Sequence, residues 1–195
     1  MSSRINDLGV IKKSKKDTKN KMEKRKLIET IAEEWKAARH QPKHDSYTAF
    51  SLETQVQFWG LFEDGLNIIR WSHNPYSNSN EMFNSIENKK VLKVLMDCAG
   101  SPLAADHPLS LIHENCGLSV NEMFRAVHDY YGHYKIRAPF ETFEGEIAAY
   151  NNHKKYYSAA AAHALYSETV GQLCYHSHFG TFVPEQKCVI IPIRF

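Results

Sequence analysis

One stretch of the chain, residues 124–172, concentrates histidine and glutamate among aromatic and small apolar side chains. It reads FRAVHDYYGHYKIRAPFETFEGEIAAYNNHKKYYSAAAAHALYSETVGQ. Its imidazole and carboxylate groups recur at short helical spacing, which suits the coordination of a divalent metal ion. The sequence therefore predicts a metal site in this stretch. The stretch holds His128, Asp129, His133, Glu146, His153, His163, Glu168 and Gln172, of which His163 is treated as background.

The first two histidines lie on one predicted helix, which opens with a capping box formed by Ser119 and Glu122. His128 and His133 are five residues apart, so on an ideal α-helix they point well away from each other. Gly132 can end or distort the last turn and let His133 swing back towards His128. We therefore expect the two imidazoles to lie close together.

A carboxylate completes the predicted ligand set. Glu168 lies on a later helix, with Gln172 one turn beyond it on the same face. Two imidazoles and one carboxylate from different elements form the facial triad of non-haem Fe(II) sites, which leaves coordination positions open. The same ligand types also form catalytic zinc sites. We predict His128, His133 and Glu168 as metal ligands, with Fe(II) as the metal and Zn or Mn as alternatives; no cosubstrate is indicated.

Three further residues are candidates for catalysis at this site. Glu146 and His153 are seven residues apart on one predicted helix, so both can face the same cavity. They are candidates for orienting ligands, binding a second metal or moving protons. Asp129 follows His128 directly and points elsewhere, which favours an outer or structural role. His107, in the long connection before the capping box, is a further candidate site residue, although a single histidine of this kind is more often an ordinary surface residue.

Hydrophobic periodicity predicts a mainly α-helical single domain with a few short peripheral strands. The length of 195 residues suits one domain with a substantial core. Predicted helices cover residues 23–40, 81–98 (with Asn80 as N-cap), 119–132, 143–156 and 158–175, and predicted strands cover 66–71 and 188–193. Residues 47–62 fit either a helix or an irregular apolar segment.

The N-terminal region differs in composition from the rest of the chain. Residues 1–22 are polar and lysine-rich, and we predict a basic flexible tail, or a fraying helix start, before the helical metal-binding domain of residues 23–195. From Lys12 to Lys26 there are nine lysines or arginines against two acids. This segment predicts weak, salt-sensitive contact with nucleic acid. A solvated tail that only aids solubility is the favoured alternative.

Cysteine usage and hydropathy bear on the compartment. The four cysteines, Cys98, Cys116, Cys174 and Cys188, lie far apart and form no CxxC pair, which disfavours a zinc ribbon or a disulfide framework. No apolar run approaches the roughly 20 residues of a membrane helix, and the N-terminus lacks a signal-peptide core. We expect a cytoplasmic protein with reduced thiols and no membrane contact.

Part of the site resembles a known iron motif. His128-Asp129-x-x-Gly132-His133, followed by Glu168-Thr-Val-Gly, is similar to the HExxGH segment and later glutamate of the pterin-dependent aromatic amino acid hydroxylases. The resemblance implies His128, His133 and Glu168 as iron ligands. It covers about fifty residues, Asp129 replaces the family's glutamate, and no pterin loop is recognisable.

A second resemblance covers more of the chain. The segments FRAVHDYYGH, GEIAAYNNH, ALYSETVGQ and PEQKCVIIP are similar to an uncharacterised family of bacteriophage and mobile-element proteins, from about residue 81 to residue 192. It implies a phage-encoded protein in the cytoplasm of an infected bacterium. It implies no reaction.

Three functions fit these features. The first is a non-haem Fe(II) oxygenase or hydroxylase acting on an aromatic or nucleobase-type small molecule. The second is a hydrolase of phosphoesters or amides, in which Zn, Mn or Mg activates water and Glu146 or Asp129 acts as base. The third is a non-catalytic phage accessory protein that binds DNA or a host protein through its basic segment.

Overall fold

The computed structural model describes the backbone of residues 4–194 and the side chains of residues 17–194. This part of the chain is mainly helical, as predicted, and includes two short strands. The α-helices are α1 (Arg4–Ala37), α2 (Asp45–Glu63), α3 (Ser79–Lys89), α4 (Val120–Val127), α5 (Phe143–His153), α6 (Ala162–Tyr166) and α7 (Gln172–Phe179). The strands β1 (Asn67–Trp71) and β2 (Val91–Leu95) pair in parallel. Among the described helices, none combines the length and apolar character needed to span a membrane.

Helix α1 packs against α7 along its second half. The predicted apolar face is confirmed by Ile31 and Trp35, which are buried. The Trp35 ring meets Tyr175 edge to face, with ring centroids 5.4 Å apart. The helix begins at Arg4, well before the predicted residue 23. The flexible tail was predicted mainly for residues whose side chains lie outside the described part, and it stays a prediction.

The helix predicted over residues 81–98 is wrong in its second half. Helix α3 ends because Lys90 adopts a left-handed backbone conformation (φ 54°) and its N–H donates to the carbonyl of Ile86. The chain then forms β2, which runs parallel to β1. The N-cap is Asn78 rather than Asn80. The strand predicted over residues 66–71 is confirmed as β1.

The strand predicted over residues 188–193 is also wrong. The N–H of Cys188 donates to Nδ1 of His40, and the N–H of Val189 donates to the hydroxyl of Tyr47, both at 3.0 Å. Side chains rather than a neighbouring strand therefore satisfy these donors. The segment has no regular secondary structure and packs into the core, where Cys188 and Val189 are fully buried.

The central helices position the site. The segment over residues 47–62 is helical and forms α2, and its Phe50 packs edge to face on Phe124 of α4, with ring centroids 4.9 Å apart. The capping box at the start of α4 is confirmed: Ser119 accepts from the N–H of Glu122, and the Glu122 carboxylate accepts from the N–H of Ser119. The predicted helix over 158–175 resolves into α6, a π-helical turn and α7.

Candidate metal centre

A π-helical turn, His128–His133, continues α4 and brings its two histidines together. On an α-helix, residues five apart are separated by about 140° around the axis. A π turn bonds residue i to residue i+5, so these two positions come onto the same side. The imidazole centroids are 5.1 Å apart. The prediction that the helix distorts to join His128 and His133 is confirmed, although the distortion is a π turn rather than a helix end.

Gly132 allows α5 to approach this turn closely. A Cβ atom at Gly132 would lie 3.2 Å from Nδ1 of His128 and 3.3 Å from both the Cβ and the carbonyl oxygen of Ala149. Such contacts are tighter than ordinary packing permits. Glycine at this position therefore lets the backbone of α5 lie directly against the turn that carries both histidines.

Helix α5 places Glu146 opposite the two imidazoles. Its Oε2 lies 3.4 Å from Nε2 of His133 and 3.8 Å from Nε2 of His128. The three side chains offer ligand atoms within 4.8 Å of one another. Ligands about 2.1 Å from a shared ion at angles of 90–110° are roughly 3.0–3.4 Å apart, so the group needs little contraction to enclose one.

Hydrogen bonds to backbone carbonyls fix the tautomers of these histidines. Nδ1 of His133 donates to the carbonyl of Ala138 at 3.0 Å, so Nε2 of the neutral ring carries a lone pair. A backbone carbonyl also fixes the orientation of Gln57, which contacts His153. The Gln57 amide nitrogen donates to the carbonyl of Tyr156, so Oε1 of Gln57 faces His153.

The second histidine is fixed by a longer chain of hydrogen bonds. Nε2 of His153 donates to Gln57 Oε1 at 3.0 Å, so Nδ1 of His153 accepts from Nδ1 of His128, also at 3.0 Å. His128 consequently presents an Nε2 lone pair, as His133 does. Partners of this kind orient the ligands of metal sites.

Two lone pairs facing one carboxylate require a positive charge between them. A proton on one imidazole or a metal ion can supply it. Burial opposes the charged form of His133, but the adjacent Glu146 carboxylate outweighs this and raises the pKa of His133. Burial lowers the pKa of His128 and, more strongly, that of His153. His153 is therefore neutral at pH 7, as the hydrogen-bond chain requires.

The pKa values of the two carboxyl groups near the histidines, Glu146 and Asp129, shift in opposite directions. Burial would raise the pKa of Glu146, but its attraction to the neighbouring imidazoles of His128 and His133 when these are protonated outweighs burial and lowers the pKa to about 2. Burial raises the pKa of Asp129 to about 7, despite the nearby positive charge of His133. Glu146 is thus the carboxylate that carries the negative charge of the site.

The predicted ligand set is brought together only in part. His128 and His133 converge, but the carboxylate joining them is that of Glu146, which was predicted as a catalytic residue. Glu168 lies on the second π-helical turn, Ser167–Gly171, outside this group. Its Oε1 accepts from the hydroxyl of Tyr47 (2.7 Å) and its Oε2 from the side-chain amide of Gln172 (2.8 Å).

Of the residues in these networks, sequence reasoning missed Gln57 and left the role of His107 open. Gln57 lies on α2, where nothing in the local pattern separates it from other polar positions. His107 was predicted either as a site residue or as an ordinary surface histidine; it is buried, with Nε2 3.6 Å from Oε1 of Glu168. The sequence signal for an ordered His107 was the proline that follows it. Pro108 opens a short 3-10 turn, Pro108–Ser110, and His107 caps this turn, because its Nδ1 accepts from the N–H of Leu109.

Comparison with known proteins gives no match: no protein-family model, no curated protein and no solved structure is significantly similar to this chain. The resemblances to aromatic amino acid hydroxylases and to a bacteriophage family therefore stay predictions.

Proposed function

We propose that this protein is a mononuclear metal enzyme whose metal ion is held by His128, His133 and Glu146. The observation that carries the proposal is the pair of Nε2 lone pairs aimed at one carboxylate, with all three ligand atoms within 4.8 Å. Three protein ligands would leave further positions for a substrate and a second reactant.

The first candidate activity is oxygenation with Fe(II), which the two-histidine, one-carboxylate donor set favours. Bound iron would supply the redox chemistry, and the chain would supply orientation and exclusion of water. Aromatic rings close the site: Phe124 lies against His128 with centroids 5.7 Å apart, and Phe140 against His133 at 6.2 Å. Because aromatic rings surround the ligands, the substrate class we propose is an aromatic or nucleobase-type small molecule.

The second candidate activity is hydrolysis with Zn, Mn or Mg. The observation that favours it is the position of Asp129, which lines a cavity of about 190 Å³ together with Arg125 and Phe140. Phe140 also contacts His133, so this cavity shares a wall with the metal ligands. A carboxylate there is placed to take a proton from water.

Metal content separates these candidates. The protein should be purified under low oxygen without added metal and subjected to elemental analysis. About one iron per chain, with oxygen uptake on addition of a reductant, supports the oxygenase. About one zinc or manganese supports the hydrolase. Absence of any bound metal, also after incubation with Fe(II), Zn and Mn, contradicts the proposal and favours a non-catalytic protein.

The hydrogen-bond chain through Gln57 gives a separate prediction. Gln57→Ala removes the acceptor that fixes His153, and His153 in turn fixes the tautomer of His128. We expect metal affinity to fall about 10- to 100-fold, as for other groups that orient a ligand. Competition with a metal-sensitive chelator measures this. Gln55→Ala, on the same helix but bonded only to the carbonyl of Ser51, is the matched control and should leave affinity unchanged.

A further inference from the structure

A second cavity, separate from the metal group, lies between α4, the second π-helical turn and the segment around Phe182. Its volume is about 540 Å³, within the range of small-molecule sites. Its walls combine apolar groups such as Leu95 and Val183 with side chains that carry oxygen or nitrogen. The polar members are Ser101, Asn121, Arg125, Glu168, Gln172 and Gln186.

The orientation of the three amides is forced by their partners. The Gln172 nitrogen donates to the Glu168 carboxylate at 2.8 Å, and the Asn121 nitrogen donates to the Asp97 carboxylate at 2.8 Å. The Gln186 nitrogen donates to the backbone carbonyl of Ser101. Each partner can only accept, so each amide must present its NH2 group there. The three amide oxygens have no hydrogen-bond partner among the described residues.

The positive charge at the cavity wall is already engaged. Arg125 donates to the carbonyl of Leu95 at 2.6 Å and pairs with Asp97 at 3.1 Å. It is the one arginine or lysine among the described residues that line this cavity. The lining therefore offers acceptors in excess of donors.

Glu168 is the anionic group of this cavity and is held rigidly. Tyr47 donates to one of its oxygens and Gln172 to the other, which leaves each oxygen with further acceptor capacity. Behind it, Nε2 of His107 is fully buried, lies 3.6 Å from Oε1, and has no hydrogen-bond partner in the described part of the chain. Buried carboxylates normally have a charged partner; His107 is charged only when it is protonated, and Arg125 is paired with Asp97 instead.

We infer that this cavity binds a small organic cation whose charge is carried by N–H groups, such as an ammonium or amidinium. Glu168 accepts from the charged group, and the oxygens of Gln172, Asn121 and Gln186 accept from its remaining donors. Apolar side chains in the wall, among them Leu95 and Val183, would cover the carbon atoms of the ligand. This site goes beyond the proposed metal function and does not depend on it.

The test compares a cation with its neutral isostere. Benzylammonium and benzyl alcohol have nearly the same shape, and their dissociation constants can be measured by NMR titration of ¹⁵N-labelled protein. We expect benzylammonium to bind at least about tenfold more tightly, because hydrogen bonds to charged groups are the stronger ones. Glu168→Gln should abolish that preference. Glu185→Gln removes the same charge from an exposed neighbouring position and should leave it unchanged.

A second variant keeps the test decisive if Glu168→Gln fails to fold. Ser101→Trp adds a large ring at the cavity wall and keeps the Glu168 carboxylate, and it should weaken benzylammonium binding at least about tenfold. Equal affinity for the alcohol and the ammonium, or full binding by both variants, would overturn the inference. Displacement of benzylammonium by millimolar Mg²⁺ would also overturn it, since the cavity would then be a site for hard metal cations.

Discussion

Glu146→Gln is expected to abolish stoichiometric metal binding, whereas Glu168→Gln is expected to retain it. The two substitutions make the same chemical change, replacing a carboxylate by an amide of equal size. Glu146 faces the Nε2 atoms of His128 and His133 at 3.8 and 3.4 Å. Glu168 faces Tyr47 instead. We expect Glu146→Gln to lower affinity more than about 100-fold, beyond the effect of a group that only orients a ligand.

The measurement is a titration of each metal-free variant with Fe(II) and with Zn, followed by elemental analysis after gel filtration. Circular dichroism establishes that both variants are folded. Loss of the metal in Glu168→Gln, with retention in Glu146→Gln, would restore the ligand set predicted from the sequence and reject the one assigned from the structure. Glu168→Gln also links the two sites: it should keep the metal and lose the preference for benzylammonium.

Gly145→Ala is expected to destabilise the fold by about 3 kcal/mol. A Cβ atom at Gly145 would lie 1.8 Å from the carbonyl oxygen of Pro139 and 2.8 Å from its carbonyl carbon. These are backbone atoms, which cannot rotate away as a flexible side chain can. The loop that precedes α5 must therefore move, and Glu146, the next residue, moves with it.

Gly60→Ala is the matched control for this prediction. Gly60 lies within α2, and a Cβ there would meet only the hydroxyl of Tyr131 at an ordinary 3.5 Å. Alanine at such a helical position should stabilise the protein by about 0.4–1 kcal/mol, chiefly by restricting the unfolded chain. Urea unfolding of the metal-free proteins measures both changes. If Gly145→Ala unfolds at the same urea concentration as the wild type, the close approach of Pro139 is wrong.

Much of the helical architecture follows from local signals. The capping box of Ser119 and Glu122, the apolar face around Trp35 and the short strand β1 were all predicted from residue pattern. The hydrophobic pattern gave the wrong element where a helix and a strand place apolar residues alike. Val91, Val94 and Leu95 fit the buried face of a helix as well as a strand, and only the left-handed turn at Lys90 decides between them.

The site was predictable only up to the histidine pair. The five-residue interval of His128 and His133, with Gly132 between them, indicated a distorted turn, although not that it would be π-helical. The choice of Glu146 over Glu168 depends on how α5 packs against that turn, which is a tertiary contact. The hydrogen-bond chain through Gln57 likewise joins residues about a hundred positions apart, beyond any local pattern.

The most direct measurement of the proposed centre is a crystal structure of the metal-loaded protein with anomalous diffraction at the metal edge. We expect one strong anomalous peak about 2.0–2.2 Å from Nε2 of His128, Nε2 of His133 and a carboxylate oxygen of Glu146. A peak bonded to Glu168, or no peak in protein crystallised with saturating metal, would contradict the assignment.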